Sequence, residues 1–184
     1  MNNLLLAPAP GFEQPLEVLE HCHDRIRKQI RTMQNLLVHL PKRGADAEAR
    51  RAAENVVRYF SVAAHHHHAD EEENLLPMLH AAARGDDAAV LSEILPQIMA
   101  DHVQMGAAWS NLERQLRAIA AGESAALEAQ DVERFARLYA EHMEKEESVI
   151  APMARRLFGA AQMTALGDAM RERRGVREPA SPTA

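Results

Sequence analysis

Residues 60–77 read Phe60-Ser-Val-Ala-Ala-His65-His66-His67-His68-Ala-Asp70-Glu71-Glu72-Glu73-Asn74-Leu-Leu-Pro77. Four histidines run straight into four acids. The spacing returns downstream at Phe135, His142, Glu146 and Pro152, so both copies fit F-x6-H-x3-E-x5-P. On a helix, His and Glu at i and i+4 project from one face a turn apart, and one metal centre can take both. Imidazole with carboxylate suits iron, manganese or zinc. A tandem copy of a metal-binding pair is the strongest signal in the chain.

The composition surrounding this signal is that of an all-α protein. The 184 residues suit one domain with a sizeable core. The chain is rich in Ala and Leu, and only 4% of it is aromatic, which disfavours strands. A net charge of −6 argues against a nucleic-acid partner. No run approaches the roughly 18 to 20 apolar residues that span a bilayer, so no membrane role is expected. The opening Met-Asn-Asn-Leu-Leu-Leu-Ala-Pro lacks a basic region and a long apolar segment, and reads poorly as a signal peptide. A single cysteine, Cys22, forms no internal disulfide, and a cytoplasmic location is the default expectation.

Working outward, residues 1–14 carry Pro8, Pro10 and Gly11 and read as an irregular arm. Helix 1 opens at Pro15, with a stripe of Leu16, Leu19, His23, Ile26, Ile30, Met33, Leu37 and Leu40. Pro41-Lys-Arg-Gly44 ends it. Helix 2 spans about 47–84 with a kink expected at Pro77. Helix 3 spans about 87–121 with a bend expected at Pro96. Its stripe of Leu95, Ile98, His102, Met105, Trp109, Leu112, Leu116 and Ile119 matches helix 1 position for position. Helix 4 spans about 124–157, with Phe135, Leu138, His142, Glu146, Val149 and Met153 on its inner face. A short amphipathic helix over 159–174 follows, and 175–184 read as a disordered tail. The pattern predicts two related helical hairpins, and hence an antiparallel up-down four-helix bundle over 15–158 with a short C-terminal helix.

Levels along an antiparallel bundle test whether the histidines meet. His23 and His67 each lie 20 residues from the first turn, roughly 30 Å at 1.5 Å per residue. His67 and His102 lie 18 and 17 residues from Gly85, and His102 and His142 each lie 20 from Gly122. All four reach one layer. Glu71 and Glu146 sit one turn further along helices 2 and 4. Four histidines and two carboxylates inside a bundle suit two metal ions with bridging carboxylates and open positions.

These residues closely resemble the hemerythrin-like, HHE cation-binding domains, over about residues 15–158. The family's helix-1 histidine matches His23 in Glu-His-Cys-His23-Asp-Arg-Ile, and its second-helix pair matches His67 and Glu71. Its third-helix histidine matches His102 in Ala-Asp-His102-Val-Gln-Met, and its fourth-helix pair matches His142 and Glu146. The resemblance implies a non-haem di-iron centre held by these six residues. It also implies a role in binding or sensing oxygen, nitric oxide or peroxide, or in handling iron. The alternatives are a di-iron redox enzyme, an iron–sulfur cluster repair factor, or a zinc-stabilised structural module. Oxygen-carrying members have a second histidine four residues after the helix-3 ligand, where this chain has Gly106. Repair proteins typically carry a cysteine pair in an N-terminal segment, whereas Cys22 is the one cysteine here. Gly106 leads to the expectation of an open position and a small pocket beside His102, near Trp109.

A lone histidine on an apolar stripe is usually a satisfied core residue. Four at one level beside two glutamates reverse that reading, because buried acids without partners are costly. Asp70 with His66, or Glu72 with His68, also satisfies i,i+4, but only His67 with Glu71 aligns with helix 4. Glu72 and Glu147 are read as outer or alternative ligands. His65, His66 and His68 are read as a solvated polar run, and His21 and His80 as exposed. Arg171, Arg173 and Arg174 are read as a solvated helix end. Catalytic residues and a protein partner are not legible.

Overall fold

The computed structural model describes residues 10–176, and they form helices with no strand among them. The expected irregular arm over 1–9 and the disordered tail over 177–184 lie outside the described residues. Helix α1 (Pro15–Arg43) starts with proline at its first turn, where the missing N–H costs nothing. It runs through Pro41 before Gly44 ends it. Helix α2 (47–82) starts at Asp46, whose carboxylate accepts the backbone N–H groups of Glu48 and Ala49. Helix α3 (Asp86–Ala121) ends at Gly122, which adopts the left-handed conformation (φ 77°) that turns the chain back.

Helix α4 (129–157) begins five residues later than the expected 124. The Ser124 hydroxyl accepts the N–H of Ala126, and Gln115 Oε1 accepts that of Glu128. These side chains satisfy the donors a first helical turn would have left unpaired, so 124–128 run as a loop along α3. Helix α5 (Ala160–Arg173) matches expectation.

Helix α1 packs on α2 and α4, and α3 packs on the same two, so the four long helices close on themselves. The apolar stripes face inward nearly as read. The exceptions are Leu37, Leu95, Leu138 and Val149, only half-buried, beside buried Leu36, Ile94, Tyr139 and Ile150. Two apolar clusters result. One, from Ile26 through Leu40, holds Val56, Phe60, Met105, Leu112, Leu116, Phe135 and Met143. The other holds Leu16, Leu19, Leu79, Ile98, Ile150 and Met153, and α5 closes it with Leu166 and Met170. Gly167 permits this closure: a Cβ there would stand 2.0 Å from the Phe12 carbonyl oxygen.

Pro77 and Pro152 each follow a wide turn, whereas α3 stays α-helical through Pro96. A proline ring cannot donate a backbone hydrogen bond and crowds the carbonyl one turn back. Both copies of the repeat accommodate it with a π-helical turn just upstream, Glu71–Leu75 before Pro77 and Glu146–Ile150 before Pro152. Each π turn begins at the glutamate of the repeated motif. Such turns are frequent at functional sites, because they re-aim side chains without ending the helix. A third, Tyr59–Ala63, has no counterpart in α4, which is α-helical from Ala129 to Lys145.

Candidate metal centre

A polar layer separates the two apolar clusters. His23, His67, Glu71, His102, His142 and Glu146 are all buried in it, none more than 7% exposed. The repeat becomes spatial here. Phe60 and Phe135 meet edge to face with ring centroids 5.0 Å apart, one level before the histidines. His23 from α1 lies edge-on to His67 from α2 at 4.9 Å, and His102 from α3 lies beside His142 from α4 at 4.7 Å.

Each carboxylate reaches both imidazole pairs. Glu71 Oε1 is 3.0 Å from His67 Nε2, and its Oε2 is 3.3 Å from His102 Nε2. Glu146 Oε2 is 3.0 Å from His23 Nε2 and 3.3 Å from His142 Nε2. The donor atoms form two overlapping groups. One is His23, His67, Glu71 and Glu146; the other is Glu71, His102, His142 and Glu146, and within each all atoms lie within 4.8 Å of one another. Both glutamates belong to both groups.

The donors also fit a metal by what they lack. His23 Nε2, His67 Nε2, Glu71 Oε2 and both Glu146 oxygens have no hydrogen-bond partner among the described residues. Several are close to one another but wrongly angled for hydrogen bonds. Orphaned buried carboxylates and imidazoles cost several kcal/mol in sum, on the order of 1–3 kcal/mol for each unmet group. A cation at their convergence meets that cost.

Proton occupancy follows the same logic. Burial, then the surrounding imidazoles, hold His67 well below its ordinary value, and burial, opposed by Glu146, lowers His142, which favours the neutral, ligating form of both. Burial, then the neighbouring Glu146, pushes Glu71 well above the carboxylate range. Burial also works against Glu146, but His142 and His23 outweigh it and bring that carboxyl below its ordinary value. Burial lowers His23, yet Glu146 and Glu147 together leave it raised. With no cation between them, two buried carboxylates cannot both ionise at ease.

Outside the six, the expected outer acids take symmetric places. His23 Nδ1 donates to Glu147 Oε1 at 2.8 Å, and His102 Nδ1 donates to Glu72 Oε1 at 2.5 Å. Each fixes the ring so that Nε2 faces inward. Arg27 in turn donates to both Glu147 oxygens at 2.8 Å. His142 Nδ1 lies 3.6 Å from Asp101, which Lys145 pairs at 2.6 Å. Cys22 is half-buried beside the site, and burial pushes its thiol up.

Three readings from sequence change. His21, His65 and His80 are exposed as expected, but His68 is drawn inward, with its ring stacked on His102 at 4.1 Å. Arg173 and Arg174 are not a solvated end. Both reach from α5 to Asp70, which is fully buried, and Arg173 also binds Glu73 and Asn74. A charge pair between residues about a hundred positions apart leaves no local pattern to find. Gly106 is exposed with open space around it, and the cavity at the site lies elsewhere. It measures about 20 Å³ and is lined by Leu16, Leu19, Leu75 and Ile150 with His23, Glu71 and Glu146. That is room for one molecule about the size of water.

A family model for the hemerythrin HHE cation-binding domain matches residues 6–154. A protein of Haemophilus influenzae described as uncharacterized is similar to the chain. The two are 27% identical over 167 residues, 91% of this chain and 94% of that protein. The chain belongs to the hemerythrin HHE cation-binding family, and its buried His/Glu clusters fit a metal site.

Proposed function

We propose that this member of the hemerythrin HHE family holds two iron ions and uses them to bind or sense a small molecule such as oxygen, nitric oxide or peroxide. One observation carries the reading: two buried carboxylates each shared between two imidazole pairs, with several of the donor atoms unpartnered, beside an apolar cavity. His23 and His67 would hold one ion, His102 and His142 the other, and Glu71 and Glu146 would serve both. When bound, such a centre supplies open positions and one-electron chemistry toward small ligands.

The chain's own residues supply the rest. Glu147 and Glu72 hold the His23 and His102 rings in orientation and keep their Nδ1 protons. The two apolar clusters exclude water from above and below the layer. The cavity walls of Leu16, Leu19, Leu75 and Ile150 admit something small and uncharged to the His23 side. No helix among the described residues is long and apolar enough to cross a membrane.

The test is anaerobic iron loading, metal quantification, and optical spectra before and after azide or nitric oxide. About two irons per chain with ligand-dependent visible bands is the expected result. Fewer than one iron per chain, or preferential zinc with no visible bands, overturns the reading in favour of a structural module.

A further inference from the structure

The two halves of the metal layer are built from one repeat, yet one position in them differs sharply. Helix α2 matches α4 at an offset of 75 residues, which pairs His67 with His142 and Glu71 with Glu146. The same offset pairs His68 with Met143. Met143 is buried, a member of the apolar cluster. The slot is therefore a core slot, and in α2 it carries an imidazole.

That imidazole is not satisfied as a structural histidine would be. His68 Nε2 is buried with no hydrogen-bond partner among the described residues. Its ring stacks on His102 with an interplanar angle of 11° and lies edge-on to His142 at 6.0 Å. One ring nitrogen from each of His68, His102 and His142 lies within 4.8 Å of the others. Nitrogens bound to one transition-metal ion at about 2.1 Å stand roughly 3 to 4 Å apart, so the three are within reach of one ion once the His68 ring tilts out of its stack on His102 and brings its lone pair into line. An unmet buried ring nitrogen costs on the order of 1–3 kcal/mol, and a shared cation removes that cost.

We infer that His68 is a further metal ligand, giving the His102/His142 position three imidazoles while the His23/His67 position keeps two. This rests on the two-ion reading above. It makes the two positions chemically unlike. The one with three imidazoles and both carboxylates is close to filled, and the other has fewer protein donors and adjoins the cavity. A ligand entering through that cavity meets the less filled ion.

Cobalt(II) substitution of the full chain tests this without activity. The proton NMR spectrum of the loaded protein should show five paramagnetically shifted, exchangeable imidazole N–H signals. The substitution His68→Met installs the residue that the other half of the repeat already uses. It should remove one of those signals and weaken one of the two ions at least tenfold in chelator competition, leaving the other ion's affinity within about twofold. His68→Leu, which has no sulfur donor, should do the same. Only four such signals in the wild-type protein overturn the inference, whatever the variants do. So do variants that hold both ions with unchanged affinity and spectrum, and in either case the two-ion reading stands. Wild-type protein that takes up less than one cobalt per chain overturns both, and that outcome is distinct because it needs no variant.

Discussion

The clamp between α5 and the metal-bearing helix gives a quantitative test of how the site is held. Asp70 is fully buried, and Arg174 donates to both of its oxygens, at 3.2 Å from Nη1 and 2.6 Å from Nη2. Arg173 adds a second guanidinium, itself shared with Glu73 and Asn74. Asp70→Ala removes the charge that both arginines face. Breaking a buried pair by deleting one partner costs about 3–5 kcal/mol. The arginine side chains are 16% and 18% exposed, and Arg173 keeps other partners, so the low end, about 3 kcal/mol, applies. In a chain of this size 1 kcal/mol moves the midpoint by about 2–4 °C, so Tm should fall by roughly 6–12 °C. Thermal unfolding followed by circular dichroism on chelator-treated protein isolates this from metal loss. Arg173→Ala should cost less, since Arg174 still holds Asp70. A fall of less than about 2 °C for Asp70→Ala would show that the clamp contributes nothing net and that α5 is held by its apolar contacts alone.

Other outcomes follow from the same geometry. His67→Ala and His142→Ala should each cost metal binding at least tenfold, while His65→Ala, on an exposed side chain, leaves the metal content unchanged by elemental analysis. Gly167→Ala drives a Cβ into the Phe12 carbonyl and should lower stability by about 1–3 kcal/mol, measured by denaturant titration. The Ala49 N–H, with His39 and Arg43 beyond it, lowers the Asp46 carboxyl to about 2. Because that folded value is depressed, its stabilisation is present above the unfolded value of about 3.9 and is lost as pH falls through about 2. Carboxyl-carbon NMR should find the midpoint there, and a midpoint near 4 would remove the capping argument.

Helical periodicity was enough to locate the bundle, because a stripe at three- and four-residue steps is a local property and survives in any bundle. It located Leu16 through Leu40 and Leu95 through Ile119 to within a residue of the buried positions. His23, His67, His102 and His142 share one layer because short turns leave neighbouring helices little freedom to slide. What failed was whatever depends on more than one helix at a time. The late start of α4 comes from Gln115 and Ser124 capturing loop donors. The π turns at Glu71 and Glu146 sit just ahead of Pro77 and Pro152, and the one at Tyr59 has no proline to announce it. The Asp70 clamp joins α2 to α5, and the inward turn of His68 depends on His102 lying against it. No single segment carries those facts.

The departures from the repeat say more about the centre than the repeat itself. At an offset of 79, α1 matches α3, pairing His23 with His102 and Arg27 with Gly106. Arg27 pins Glu147 against His23, whereas Glu72 meets His102 with no arginine at the matching position. At an offset of 75, His68 stands against Met143. The His102 side thus gains an imidazole at its face and loses an arginine at its rim. The His23 side gains the arginine-held carboxylate and the apolar cavity. A strictly symmetric layer would hold two equivalent ions, with no preference for where a small molecule enters. By the inference above, His68 would add a donor at the His102 position, while the His23 position faces a space only large enough for a small ligand. With His68 as a ligand, this asymmetry, set by four residues on four helices, would give a duplicated binding motif two chemically unlike positions.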